Sequence, residues 1–233
     1  IIKSLAWLQE RKDWSTRDLF NYLLEKISPK IGVEKTPQTC MKTQYLERAY
    51  QYFPQAYYLH LTRHPVSTRA SILANNQAKK IGLKKDSKKM EKTLDPIYRW
   101  YRIHNDIISI TSRLPARQTL RIKGEDLLSE SDRVLPIIAK WLGVKTDKEA
   151  IEAMKHPENS PYACIGPELA KGGNNLEFLQ APYLRKSKVQ EASLAEFWER
   201  QRRELMDEFG HQLGADPDLI TRVTRLAQIM DYQ

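Results

Sequence analysis

The sequence predicts an α/β fold: a parallel sheet flanked by helices in three layers, within a single domain. Three observations carry that expectation. Short hydrophobic segments of strand character alternate with longer segments of helical periodicity, the pattern of parallel strands joined by crossover helices. Two of the strand segments close on a cation, at Lys35 and Arg63. No repeat and no linker-like stretch divides the 233 residues, a length that suits one large domain with a substantial core.

The elements follow in order. Residues 3–11 and 15–27 predict two helices, the second with Ser15 as its cap and Leu19, Leu23, Leu24 and Ile27 as its apolar stripe. "KIGVEK", Lys30–Lys35, predicts a short buried strand. Thr39–Phe53 predicts a helix that Pro54 ends. "AYYLHLTR", Ala56–Arg63, is the clearest strand, and Pro65 opens a helix to about Asn75. Thr93–Leu114 predicts a long helix with a stripe of Ile97, Trp100, Tyr101, Ile107 and Ile108. "QTLRIKG", Gln118–Gly124, is a third strand. The helix after it ends at Gly143, a C-cap candidate, and residues 146–155 predict another short helix. A polar stretch from about His156 to Lys188 precedes two closing helices, near 191–209 and 217–231.

Composition narrows the class of function. Hydrophobic residues make up 41% and charged residues 29%, as in ordinary globular chains. No apolar run approaches the roughly 20 residues that span a bilayer, so no membrane span is expected. The opening residues alternate charged and apolar groups, unlike a signal peptide. Two cysteines, Cys40 and Cys164, make no disulfide framework, which suits a reduced, cytoplasmic setting. They also lack a histidine at zinc-ligand spacing. The chain starts at Ile1 rather than Met, which reads as a piece of a longer protein.

A net charge of +9 suits an anionic partner. Nucleic acid is the competing reading, since Lys79–Lys92 holds seven lysines. That run has no interleaved aromatic residues, and no recognised nucleic-acid motif occurs, so no nucleic-acid partner is expected. The lysine run is a solvated loop, a flap over an acceptor pocket, or a dock for an acidic carrier protein.

In open α/β sheets, ligands sit beyond the carboxyl ends of the strands. Lys35 and Arg63 fall on that rim and together read as an anion site. Ser71, eight residues after Arg63, adds a hydroxyl, and the helix opening at Pro65 adds its N-terminal dipole. A guanidinium holds phosphate through two parallel hydrogen bonds. The plainer alternatives are a surface arginine, a solvent-facing serine, and a Lys35–Glu34 surface pair. His104 lies on the apolar face of its helix, one turn from Trp100 and Tyr101. It is the candidate general base in this chain, with a core histidine as the alternative.

Four segments together resemble one family. They are "VEKTP" (Val33–Pro37), "LTRHPVSTRAS" (Leu61–Ser71), "RIKGEDLLSESDRVLPIIAKWLGV" (Arg121–Val144) and "NSPYACIGPELAKGGNNLEFL" (Asn159–Leu179). In this order and spacing they resemble the sulfotransferase superfamily, and within it the bacterial branch that includes sulfotransferase domains of polyketide-type assembly lines. The similarity spans about residues 17–185, with 190–233 as a C-terminal helical segment.

The resemblance implies a P-loop NTPase-like sulfotransferase fold and 3′-phosphoadenosine 5′-phosphosulfate as donor, with adenosine 3′,5′-bisphosphate as product. It implies that Arg63 and Ser71 bind the 3′-phosphate and that Lys35 contacts the donor near the transferred group. It also implies that Lys171 and Gly172, in "KGGNN", close over the nucleotide, a plain surface turn being the alternative. The acceptor would be a hydroxyl of a small metabolite, a carrier-bound acyl chain, a carbohydrate or a lipid. The chemistry requires no metal.

Three departures qualify the match. The family's first strand and Gly-rich phosphosulfate loop have no counterpart here, which places them before Ile1; a binding domain that has lost catalysis is the other reading. Pro37 stands where many members carry a catalytic histidine. Gly124 stands where some carry a tyrosine that contacts the adenine, ahead of Glu125 and Asp126. That acidic pair is expected to cap the following helix and to hold a basic residue of the site.

Overall fold

The computed structural model describes residues 2–82, 96–160, 193–199 and 218–232. Its centre is a two-stranded parallel sheet, β1 (Tyr58–Thr62) beside β2 (Thr119–Lys123). Tyr58 pairs with Thr119 and Thr62 with Lys123, so the two strands run level and end on the same rim. Helices make up most of the remainder. They are α1 (Ile2–Gln9), α2 (Thr16–Ile27), α3 (Thr43–Tyr52), α4 (Pro65–Gly82), α5 (Pro96–Thr111), α6 (Gly124–Ser129), α7 (Ser131–Leu142) and α8 (Lys148–Lys155). A helical segment at 194–199 and α9 (Leu219–Ile229) complete the described chain.

Local chemistry accounts for several boundaries. The Ser15 hydroxyl accepts from the Asp18 amide at the start of α2, while the Asp18 carboxylate accepts from the Ser15 amide at 2.9 Å. This reciprocal cap satisfies two amides that the first turn leaves without partners. Pro65 opens α4, where its missing N–H costs nothing. Gly143 ends α7 in the left-handed region at φ 68°, and the Val144 amide then reaches back to the Ala139 carbonyl at 3.0 Å.

Period-two alternation sorts the sheet's side chains. His60 and Thr62 are buried on one face, whereas Leu59 and Leu61 on the other stay 44% and 52% exposed. The buried face packs on α5 and the C-terminal segment. Ile97 and Trp100 of α5 meet Leu219, Val223, Leu226 and Ala227 of α9, with Leu194, Trp198, Met230 and Tyr232. Arg121 and Lys123 of β2 donate to the carbonyls of Ile229 and Asp231 at 3.0 and 3.1 Å. Two cations thus neutralise the carbonyl end of α9 and fasten it to the strand. A smaller core joins Leu135 and Ala139 of α7 to Ile151 of α8.

Three expectations need correction. Lys30–Lys35 forms no strand: the segment is irregular, and Ile31 and Val33 are 51% and 85% exposed. A strand needs a neighbour to complete its ladder. Here Gly32 instead lies against the tip of the Leu24 side chain of α2. Thr39–Phe53 is also not one helix, but a 3-10 turn at Pro37–Cys40 followed by α3. Helix α4 runs to Gly82, past the expected end and into the lysine run, whose remaining residues lie outside those described.

Candidate active site

The end of β1 leads into the segment that carries two of the predicted residues, Arg63 and Ser71. The chain leaves the sheet at Arg63, turns at His64 and enters α4 at Pro65. The Arg63 side chain is exposed and joins no ion pair or hydrogen bond among the described residues. Its backbone is held from two directions. The Arg63 carbonyl accepts from the Trp100 indole N–H at 2.9 Å. On the other side of the same peptide unit, the His64 amide donates to Glu125 Oε1, also at 2.9 Å.

Gly124 sets up that second contact. It ends the level register of β1 and β2, and a Cβ there would stand 3.0 Å from the Thr62 carbonyl oxygen. The absent side chain lets the exit of β2 lie against the exit of β1, which brings Glu125 to the His64 amide. The other carboxylate oxygen, Oε2, accepts from the Tyr232 hydroxyl at 3.0 Å, and that hydroxyl lies 2.8 Å from Thr62 Oγ1. Burial, together with the nearby Glu125 carboxylate, pushes the Tyr232 phenol well above its ordinary range, so it stays protonated. Asp126 takes a different part, with Lys123 at 3.9 Å and Arg133 at 3.8 Å. The expected cap of the following helix is therefore not made: the Glu125 carboxylate serves the start of α4 instead.

Helix α4 directs its N-terminus at this corner. Ser67, in its first turn, is buried, and its hydroxyl has no hydrogen-bond partner among the described residues. Ser71 lies partly buried further along the same helix, with no partner among the described residues. Arg63 and Ser71 thus belong to one β–turn–α unit. Lys35 is exposed in the irregular segment before the Pro37–Cys40 turn and forms no pair with Glu34. Lys171 and Gly172 lie outside the described residues.

His104 is held in the interior. Its Nδ1 lies 2.8 Å from Nε2 of His60, and its ring rests 4.8 Å from the Trp100 ring. Burial lowers the pKa of His104 to about 4. Burial, then the charges of His104 and Arg121, lowers that of His60 to about 3. Both rings are neutral at neutral pH and share one proton between the facing nitrogens. On His104 the contact leaves Nε2 for another partner.

Sequence reasoning did not find His60, the Trp100 hold on Arg63, or Tyr232. A signal for His60 was present: in "YLHLT" the alternating face carries Tyr58, His60 and Thr62, three residues with polar groups. Tyr232 gave none, because its partners are 107 and 170 positions away.

Among the described residues no cluster of His, Cys, Asp or Glu is arranged to hold a metal, and no helix is long and apolar enough to cross a membrane. The fold is shared with solved structures. A sulfotransferase domain from the curacin biosynthetic pathway superposes with a TM-score of 0.70 at 22% identity, covering 100% of this chain and 74% of that one. A sulfotransferase domain from the Synechococcus PCC 7002 olefin synthase gives 0.66 at 20% identity, covering 99% and 70%. No curated protein matches the chain significantly. A sequence model described as the sulfotransferase family matches residues 1–148. The chain therefore belongs to the sulfotransferase family and is a transferase.

Proposed function

We propose that this chain transfers the sulfuryl group of 3′-phosphoadenosine 5′-phosphosulfate to a hydroxyl of an acceptor, releasing adenosine 3′,5′-bisphosphate. The observation that carries this reading is the corner after β1. There an exposed guanidinium without an acidic partner among the described residues stands beside the N-terminus of an eighteen-residue helix. The donor set fits a phosphate: a planar cation, the positive end of a helix dipole, and serine hydroxyls on that helix.

In this reading Arg63 and Ser71 hold the 3′-phosphate. Lys35 places an ammonium by the oxygen that bridges phosphorus and sulfur, where negative charge grows as the bond breaks. Lys171 and Gly172 close over the nucleotide. When bound, the donor supplies the activated sulfuryl group. His104 is the base candidate through Nε2, and its low pKa makes it a weak one. The 233 residues act as one domain, since α9 completes the core around Trp100.

The related domains come from a biosynthetic pathway and a synthase, which supports a biosynthetic intermediate as acceptor. The net charge of +9 supports presentation of that acceptor by an acidic acyl carrier protein.

Calorimetric titration with adenosine 3′,5′-bisphosphate tests the reading. Binding is expected, and Arg63→Ala should weaken it by about 1.5–3 kcal/mol, the scale of a charged hydrogen bond. No binding by the unaltered chain, or equal binding by the variant, overturns the site.

A further inference from the structure

The peptide unit joining Arg63 to His64 is fixed at both of its polar ends. Trp100 Nε1 donates to its carbonyl and Glu125 Oε1 accepts from its amide, each at 2.9 Å. The two clamps come from opposite sides, one from α5 and one from the exit of β2. Each clamp is itself held. Trp100 is buried in the main core. The Glu125 carboxylate is fixed through Oε2 by Tyr232, which Thr62 orients in turn.

Strand and helix termini do not demand this arrangement. His64 is 3% exposed, so its amide needs a protein partner, but a neutral oxygen would meet that need. A carboxylate at the N-terminus of α4 also opposes an incoming anion. Its presence there calls for a use that outweighs that repulsion.

We infer that Trp100 and Glu125 are positioning residues for Arg63: together they lock the plane of the Arg63–His64 peptide and so aim the guanidinium at the donor's 3′-phosphate. This rests on the reading of Arg63 given above. The side chain of Arg63 has four rotatable bonds and no partner of its own among the described residues. Fixing its main chain removes part of the disorder that would otherwise be lost on binding, and sets the direction from which the fork approaches.

Charge alone and positioning predict opposite signs. If Glu125 acted only through its negative charge, Glu125→Ala would tighten phosphate binding. Positioning requires Glu125→Ala to weaken it. Glu125→Gln restores binding, because an amide oxygen still accepts from the His64 amide.

The test is calorimetric titration of the full chain and its variants with adenosine 3′,5′-bisphosphate and with adenosine 5′-monophosphate. The monophosphate lacks the group that Arg63 contacts. Glu125→Ala and Trp100→Phe should each lose about five- to tenfold in bisphosphate affinity, the scale of one lost hydrogen bond, with monophosphate affinity unchanged. Glu125→Gln should return to within about twofold of the unaltered chain. The double variant Arg63→Ala/Glu125→Ala should bind the bisphosphate no more weakly than Arg63→Ala, because the two act as one unit.

Thermal unfolding of each variant separates misfolding from mispositioning, and Glu125→Gln retains a testable protein if Trp100→Phe does not fold. Tighter binding by Glu125→Ala, equal loss for both nucleotides, or additive losses in the double variant overturns the inference while leaving Arg63 in place. An Arg63→Ala variant that binds like the unaltered chain overturns the underlying site, and the inference with it.

Discussion

His60 on β1 and His104 on α5 face each other ring to ring, with 2.8 Å between the nearest nitrogens. Neither strand nor helix alone would keep a histidine in such a place. Burial favours the neutral form of both rings, and a further proton on each would put two cations in contact inside the fold.

That relationship fixes a pH dependence. The folded pKa values are lowered to about 3 for His60 and about 4 for His104, from an ordinary value of 6.5. Below that ordinary value the unfolded chain takes up protons that the folded chain refuses. The pair's stabilising contribution is therefore complete above pH 6.5 and drains away as pH falls towards about 4. Melting temperature measured from pH 8 down to pH 4 should drop across this window, and His104→Phe should flatten the slope. Exposed His156 works in the opposite sense, since Glu158 and Glu152 raise its pKa. A wild-type profile no steeper than that of the variant would refute the buried neutral pair.

Ser71 and Arg63 should differ in their effect on nucleotide affinity. A neutral hydroxyl contributes about 0.5–1.5 kcal/mol, against about 1.5–3 for a charged group. Ser71→Ala should therefore weaken adenosine 3′,5′-bisphosphate binding by roughly 1 kcal/mol, less than Arg63→Ala. Titration of both variants in one buffer checks the order. A larger loss from the serine would move the phosphate along α4.

Leu219 probes the closing helix. It is buried in the same core cluster as Ile97 and Trp100, so Leu219→Ala should cost about 2–5 kcal/mol in urea denaturation. A loss under about 1 kcal/mol would mean that α9 contributes little to the core.

Gly143 probes a turn. Its φ of 68° suits glycine, and nothing stands within 4 Å of where a Cβ would be. Gly143→Ala should therefore cost only the backbone strain, about 1 kcal/mol. Its melting curve checks this; a much larger loss would require a clash that the structure lacks.

How far the sequence foretold this molecule depended on the range of the interactions. The Ser15 cap, the entry at Pro65, the Gly143 exit and the two paired strands are written in neighbouring residues, and they appeared where expected. The Lys30–Lys35 segment misled because its apolar residues fit a strand, whereas its neighbour turned out to be Leu24 of a helix. Arg63 was legible as a candidate because a cation at a strand's end has a local meaning. Its two clamps were not, since Trp100 and Glu125 lie 37 and 62 positions later, counting from Arg63. The role of Glu125 was misread for the same reason: beside a helix start it resembles a cap, yet the amide it serves belongs to another helix.

The bond between Thr62 and Tyr232 has a consequence for synthesis. The ribosome makes Tyr232 170 residues after Thr62. At roughly 5–20 residues per second, about 10–30 s separate the two. For the last 107 of those residues, once Glu125 is made, its carboxylate lacks its phenol and the apolar sides of Ile97 and Trp100 lack α9. Closing so long a loop is slow as well as late. The nascent chain thus carries the corner after β1 unfinished until α9 docks.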